Sequence, residues 1–386
     1  MTRPVGDGSP AAALAWLSRA IEPGNRLLWA YVEDLGPVEV AAQLHAGDGP
    51  SRLQRSVGAR AHTDTSLRDL EMAAQKGIRL IDSASEEWPQ RSLIAMIRAS
   101  ASGETSVVPP ISLWVRGNGS LAELTERSVA IVGARAATGY GAHVAAELSA
   151  GCAERGYTVI SGGAFGIDIA AHRGAVSAGG TTIALLACGV DRPYPAGNHA
   201  MLEAITRDGL LVSEFPPGAA PMRQRFLIRN RLIAGLSRGT VVVEAALRSG
   251  ARSTAARARE LGLPVMAVPG PVTSAMSGGC LQLLREDGAI AVGTVAHVLD
   301  AVGLIGDDLA PREEGPVLAE DSLSTSVRTV LEAVPLRRPA PVESIAAVAA
   351  AGISTTLAGL TELELLGFVE CRDTKWRRTK QVTPQM

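Results

Sequence analysis

Lysine is nearly absent from this chain: it occurs only at positions 76, 375 and 380, so that 34 of the 37 basic residues are arginine. The planar arginine fork suits bidentate contact with phosphate, although drifting genomic composition produces the same bias. Cysteine is sparse as well. Cys152, Cys188, Cys280 and Cys371 lie far apart and form no C-x-x-C pair, which argues against a disulfide framework or a zinc site and for a reducing compartment. No apolar run approaches the ~18 residues that span a bilayer. The opening MTRPVGDGSP lacks the apolar stretch of a secretory signal. A cytoplasmic protein with no membrane partner is the expectation. Charge is modest, at 20% of residues against 46% hydrophobic, so the chain can bury a substantial core and general disorder is excluded. The net charge of -2 does not decide for or against nucleic acid, because its distribution along the chain is uneven.

The 386 residues suggest two or three domains. Residues 1–66 read as a module of short helices punctuated by Pro23–Gly24. Residues 67–127 are mixed, with a helical LRDLEMAAQKG and the short strands IRLI and ISLWVRG. From Ser128 to Val302 continuous apolar strands such as SVAIVG, YTVISG, TTIALLAC and GTVVVEAA alternate with amphipathic helical stretches. That alternation means an α/β fold, a doubly wound parallel sheet of extended Rossmann-like type, spanning the domain 67–302. Residues 303–322 are acidic and rich in Gly and Pro, and read as a linker. Residues 323–386 suggest two helices, a third helix and a β-ribbon with the basic tip RDTKWRR, the layout of a winged helix.

Ligands of open parallel sheets bind outside the carboxyl ends of the strands. The first such loop, in SVAIVGARAATGYG, carries Gly133, Ala134 and Arg135, followed by Thr138, Gly139 and Gly141 at a helix start. Backbone N–H groups there attract phosphate, but Arg135 stands where a dinucleotide fold needs a glycine. The second loop, SGGAFGID, runs from Ser161 through Gly162, Gly163, Ala164, Phe165, Gly166 and Ile167 to Asp168. It lacks the acidic residue that would hold a ribose, so NAD or FAD is not expected. Asp168 and His172, at i and i+4, read as helix support and packing rather than a metal pair, and Cys188 as a small buried hydrophobe.

Between Met222 and Glu260 nine arginines face two acids, Glu244 and Glu260. In MRQRFLIRNR, the residues Arg223, Arg225, Arg229 and Arg231 surround Phe226 and Asn230. Arginines interleaved with an aromatic fit single-stranded nucleic acid, where cations track phosphates and a ring stacks a base. An amphipathic helix with a solvated arginine face, and Phe226, Leu232 and Ile233 in the core, has the same spacing.

The runs AIVGARAATGYG, VISGGAFGIDIAAHRGAVSAGGTTIALLACGVDRPYP, GLLVSEFPPG, FLIRNRLIAGLS, VVVEAALRSGARSTAARARELG and VMAVPGPVTSAMSGGC, in that order, resemble the DNA-processing protein A (DprA or Smf) family over 128–302. The N-terminal part resembles the family's helical SAM-like module, and LAGLTELELLGFVE its winged helix. The resemblance implies a homodimer, joined through the α/β domain, that binds single-stranded DNA. It also implies loading of the RecA recombinase, with displacement or bypass of single-strand-binding protein, in natural transformation and recombination. It implies a DNA pocket on Gly133, Ala134 and Arg135, on Ser161 to Asp168, and on Phe226, Arg229, Asn230 and Arg231, with Arg223 and Arg225 just ahead. It implies no catalytic residue, cofactor or metal. Two positions depart from the family pattern. Phe165 replaces an arginine of many relatives and offers a second stacking surface, and Leu227 and Ile228 replace a Pro-Arg pair.

The rival enzyme reading is a nucleotide phosphoribohydrolase with Glu244 as catalytic acid and Arg135 on the 5′-phosphate. The chain lacks the P-G-G-x-G-T loop that such enzymes carry near that glutamate. A ligand-sensing transcription factor is the second rival, and it would need a real dinucleotide site.

Overall fold

The structure, a computed structural model, describes residues 5–303 and 319–379. The chain divides into two compact units, Met1–Ala310 and Pro311–Met386. Most of the expected linker, 304–318, lies outside the described residues.

The first unit is built on nine strands: β1 Ile78–Ile81, β2 Leu113–Gly117, β3 Ser128–Val132, β4 Thr158–Ser161, β5 Thr182–Leu185, β6 Leu210–Ser213, β7 Thr240–Val242, β8 Val265–Ala267 and β9 Ile290–Ala291. Their order is β1-β2-β6-β5-β4-β3-β7-β8-β9. The seven strands from β6 to β9 pair in parallel, as expected of buried runs joined by helices. The two short strands of the mixed region extend the same sheet antiparallel beyond β6. Every residue of β3, β4, β5 and β6 is buried. Alternate residues of β3 serve two different cores: Ala130 and Val132 face one, Val129 and Ile131 the other. Each fully buried Val or Ile contributes about 1.5–3 kcal/mol of transfer free energy, so this two-sided burial sets the register of the strand.

Two helices cover one side of β3 and β4. The helix Gly139–Glu154 starts at Thr138, whose hydroxyl accepts from the Gly141 amide at 3.1 Å. It packs on the helix Ile167–Ser177 so closely that a Cβ on Gly174 would lie 2.2 Å from the Ala146 carbonyl oxygen. Glycine is the residue that permits this approach.

The N-terminal helices have an apolar centre of their own around Trp16, Leu17, Leu44 and Leu53, yet they belong to the first unit. Arg19 spans the join, with a bidentate contact to Asp69 at 2.6 and 2.8 Å and a bond to the Pro217 carbonyl at 2.9 Å.

In the second unit the helix Thr325–Ala333 and the short β10 Ala340–Pro341 come before the helices Val342–Ala349 and Ile353–Leu365, and β10 joins β12 Lys375–Arg378 and β11 Val369–Arg372 in a three-stranded sheet in the order β10-β12-β11. This is a winged-helix arrangement, with Val330, Leu360, Leu363, Phe368 and Trp376 in its core. The basic tip turns through Asp373 and Thr374, whose φ angles are 48° and 63°, the pair of positive values that a two-residue hairpin turn of right-handed twist requires. Among the described residues no single helix is long and apolar enough to cross a membrane.

Candidate functional site

From β3 the chain runs one way through β4, β5 and β6, then crosses to place β7 on the other side of β3. The crevice at the carboxyl ends of β3 and β7 is the switch point of the sheet. It opens into a cleft of about 980 Å³, roofed by the helix Arg223–Gly235 and floored by the start of the helix Ala251–Glu260.

Of the sequence candidates, Gly133, Ala134, Arg135, Ala164, Asp168, Arg223, Phe226, Arg229 and Asn230 line this cleft. Arg135 is exposed, and its guanidinium lies 4.8 Å from the centroid of the Phe226 ring. Arg223 stands one turn ahead of Phe226 on the same helix. Tyr194 approaches Phe226 from the side, with ring centroids 6.0 Å apart and planes at 57°.

The remaining candidates serve the architecture around the cleft and do not line it. Thr138 is held by Glu244: its amide and hydroxyl donate to the two carboxylate oxygens at 2.9 and 2.6 Å. The Glu244 carbonyl also accepts from the Ala134 amide at 2.7 Å, so this buried glutamate pins the first loop from β7. The Ser161 hydroxyl donates across to the Ile131 carbonyl at 2.7 Å. Gly162 receives Arg229, and Gly163 receives the Asn198 side chain at 3.0 Å. Gly166, with φ 79°, and Ile167 close the second loop onto the first. There the Ile167 amide donates to the Ala134 carbonyl at 3.1 Å, and a Cβ on Gly166 would meet the same oxygen at 2.2 Å.

The arginines of the Met222–Glu260 run do not form the solvated face that the helical reading expects. Arg225 makes a bidentate contact with Glu22 at 3.0 and 2.7 Å and stacks on Phe215 at 4.5 Å. Arg231 is buried against Glu214 at 2.7 and 2.6 Å. These two point away from the cleft because carboxylates of the N-terminal segment and of the β6 end hold them. Arg229 is buried and donates to the carbonyls of Gly162 and Leu185. Burial lowers its pKa to about 10, with the neighbouring Asp168 opposing the shift. Burial also pushes the Asp168 carboxyl up, opposed by Arg229 and by the backbone amides of Ala164, Gly133 and Gly162.

His172 does not converge with Asp168 on a common point. Its Nδ1 sits 2.7 Å from the Thr182 hydroxyl, which itself donates to the Val159 carbonyl. Burial lowers the imidazole pKa to about 3, so the ring is neutral. Cys188 is buried, and burial raises its thiol to about 11, so it is not a reactive thiolate.

Further parts of the lining, among them Tyr194, Leu227 and the turn Arg248-Ser249-Gly250, have no counterpart among the sequence candidates. The last carries a visible signal, a serine- and glycine-containing turn between β7 and a helix start, the same pattern that singles out the two earlier loops. Among the described residues no carboxylate pairs with Arg135, Arg223 or Arg248. Arg225, Arg231, Arg252, Arg257 and Arg259 each have one.

The family profile described as DNA recombination-mediator protein A matches residues 79–303. A Mycobacterium tuberculosis protein named DNA processing protein DprA is 47% identical over 367 residues, 95% of this chain and 94% of its own length. The Synechocystis protein Smf is 35% identical over 62% of this chain and 67% of its own. A solved structure of DNA processing protein A from Streptococcus pneumoniae superposes with a TM-score of 0.61 at 28% identity. It covers 77% of this chain and 99% of that one.

Proposed function

The chain belongs to the DNA recombination-mediator protein A family, and from that premise we propose that its cleft binds single-stranded DNA. On the bound strand the protein loads a RecA-type recombinase past single-strand-binding protein, in recombination and the uptake of DNA. The observation that carries the DNA reading is that Arg135, Arg223 and Arg248, without carboxylate partners among the described residues, line one cleft with Phe226, whose ring Arg135 faces. Cations of this kind serve successive phosphates, and the ring serves a base. A paired, stacked base offers only its edges in the grooves, so a ring inside a cleft favours an unpaired strand. In the free protein Arg135 covers the Phe226 ring. That cation–π contact is worth about 0.5–1 kcal/mol at an exposed site, whereas a base stacked on an aromatic is worth about 1–3 kcal/mol. A base therefore displaces the guanidinium, which turns to the adjacent phosphate.

The recombinase part of the proposal, and the homodimer that the family resemblance implies, rest on family membership, not on the cleft. For the rival enzyme reading, Glu244 is the acid that base release requires. Both of its carboxylate oxygens are occupied by Thr138 in a buried position, which supports binding over catalysis. The test is fluorescence anisotropy of a labelled oligo-dT across a salt series, against the matching duplex and against NAD. Salt-dependent binding to the single strand alone is expected, and preference for duplex or for NAD overturns the proposal.

A further inference from the structure

The aromatic edge of the site does not stop at the cleft. Tyr194, which meets Phe226 in the cleft, begins a loop that is tied to the glycine loop by the Asn198 side chain, donating to the Gly163 carbonyl at 3.0 Å. Within that loop Gly197 sits close against Phe165: a Cβ there would lie 3.0 Å from the Phe165 Cζ. Phe165 is 50% exposed and Tyr194 45% exposed. Phe165 is not part of the cleft lining. Two hydrogen-bonded loops thus carry Tyr194 and Phe165, and the first of these rings meets Phe226 of the roof helix.

We infer that Phe165 and Tyr194 form a second base-binding subsite, outside the cleft, for an unpaired nucleobase of the same strand whose neighbour stacks on Phe226. The inference rests on the cleft being a single-strand site and deepens it. Rings half exposed on short, anchored loops lose little freedom on binding. A planar π face accepts any base without regard to sequence. Because Phe165 and Tyr194 are rings rather than cations, the subsite adds affinity without releasing counterions, so its contribution is independent of salt. An arginine at position 165 would behave in the opposite way, adding a salt-dependent phosphate contact.

The experiment uses the full chain with dT oligomers lengthened one nucleotide at a time, read by anisotropy at two salt concentrations. Phe165→Ala is expected to weaken the longer oligomers about five- to hundredfold. The shortest oligomers that bind, and the salt slope, stay as in the unaltered protein. Phe165→Trp, which keeps a stacking face, restores the lost affinity, and Phe226→Ala weakens every length. If Phe165→Ala matches the unaltered protein at every length while Phe226→Ala weakens all of them, the subsite falls and the cleft reading stands. If Phe165→Ala weakens all lengths alike and Trp does not restore them, Phe165 merely props the glycine loop and the inference is overturned. If the unaltered protein binds no oligomer, the cleft reading and the subsite fall together.

Discussion

Arg135, Arg223 and Arg248 differ from Arg225 and Arg231 in one physical respect. They carry charge that no carboxylate among the described residues neutralises. A phosphate contact releases condensed counterions, and each such contact adds about one unit to the slope of log affinity against log salt. Arg135→Ala, Arg223→Ala and Arg248→Ala are therefore each expected to weaken oligo-dT binding for all sequences and to lower the salt slope by about one unit. Arg225→Ala, which removes a cation already paired with Glu22, is expected to leave the slope unchanged. The same anisotropy series checks both, and equal slopes for Arg135→Ala and Arg225→Ala would contradict the division into paired and unpaired cations. Arg229 belongs to a third kind. Its guanidinium faces backbone carbonyls, and the glycine of position 162 is required because a Cβ there would lie 2.6 Å from its Nη atoms.

At the level of elements, the helix Ile167–Ser177 buries Asp168 and His172 and leaves its third ionisable residue, Arg173, exposed. His172 remains neutral in the fold, with a pKa lowered to about 3 from an ordinary 6.5, because burial penalises the imidazolium. A depressed folded-state value means that the unfolded chain takes up the proton first. The stability that His172 contributes is complete above about pH 6.5 and is lost progressively as pH falls toward 3. Across that window the loss runs at about 1.4 kcal/mol per pH unit for this one group. Urea denaturation between pH 7 and pH 4 is expected to show this fall in the unaltered protein. In His172→Asn, which has no titrating ring, the slope is expected to be smaller by about one proton. Equal slopes in the two proteins would place the histidine in contact with solvent. The apolar runs of β3 and its neighbours are legible in the amino-acid sequence itself, because strands buried on both faces need hydrophobic residues at every position. The helix Gln90–Ala101 is not legible in the same way. Its buried Leu93 and Met96 lie among Arg and Ser residues, which weakens the periodicity of that stretch.

On the scale of the whole molecule, the chain separates into a large unit that contains the entire cleft and a smaller one with its own core. Every cleft-lining residue lies before position 277. The third helix of the second unit, Ile353–Leu365, carries Glu362 and Glu364 and no basic residue, which is unsuited to phosphate. A chain ending at residue 310 is therefore expected to bind oligo-dT with the affinity and salt slope of the full protein. A large loss of affinity in that fragment would assign part of the DNA contact to the second unit. The N-terminal helices are joined to the cleft by the Glu22–Arg225 contact at one end of the roof helix, which places them with the first unit.

The sequence alone was enough for the parallel sheet, the winged helix, the family and the two loops that bear Arg135 and the glycines, because these depend on local periodicity and on glycine at fixed places. Which arginines are free was decided only by the fold. Within RQRFLIRNR, Arg225 and Arg231 look the same as Arg223. Yet Glu22 and Glu214, about 200 and 17 residues away along the chain, come to meet the first two and leave the third to the cleft. The placing of Tyr194 and Arg248 in one cleft with Phe226 has the same origin. Crossing from β6 back to β7 brings together loops that are distant in sequence, and a ligand site at a switch point exists only once that crossing has been made.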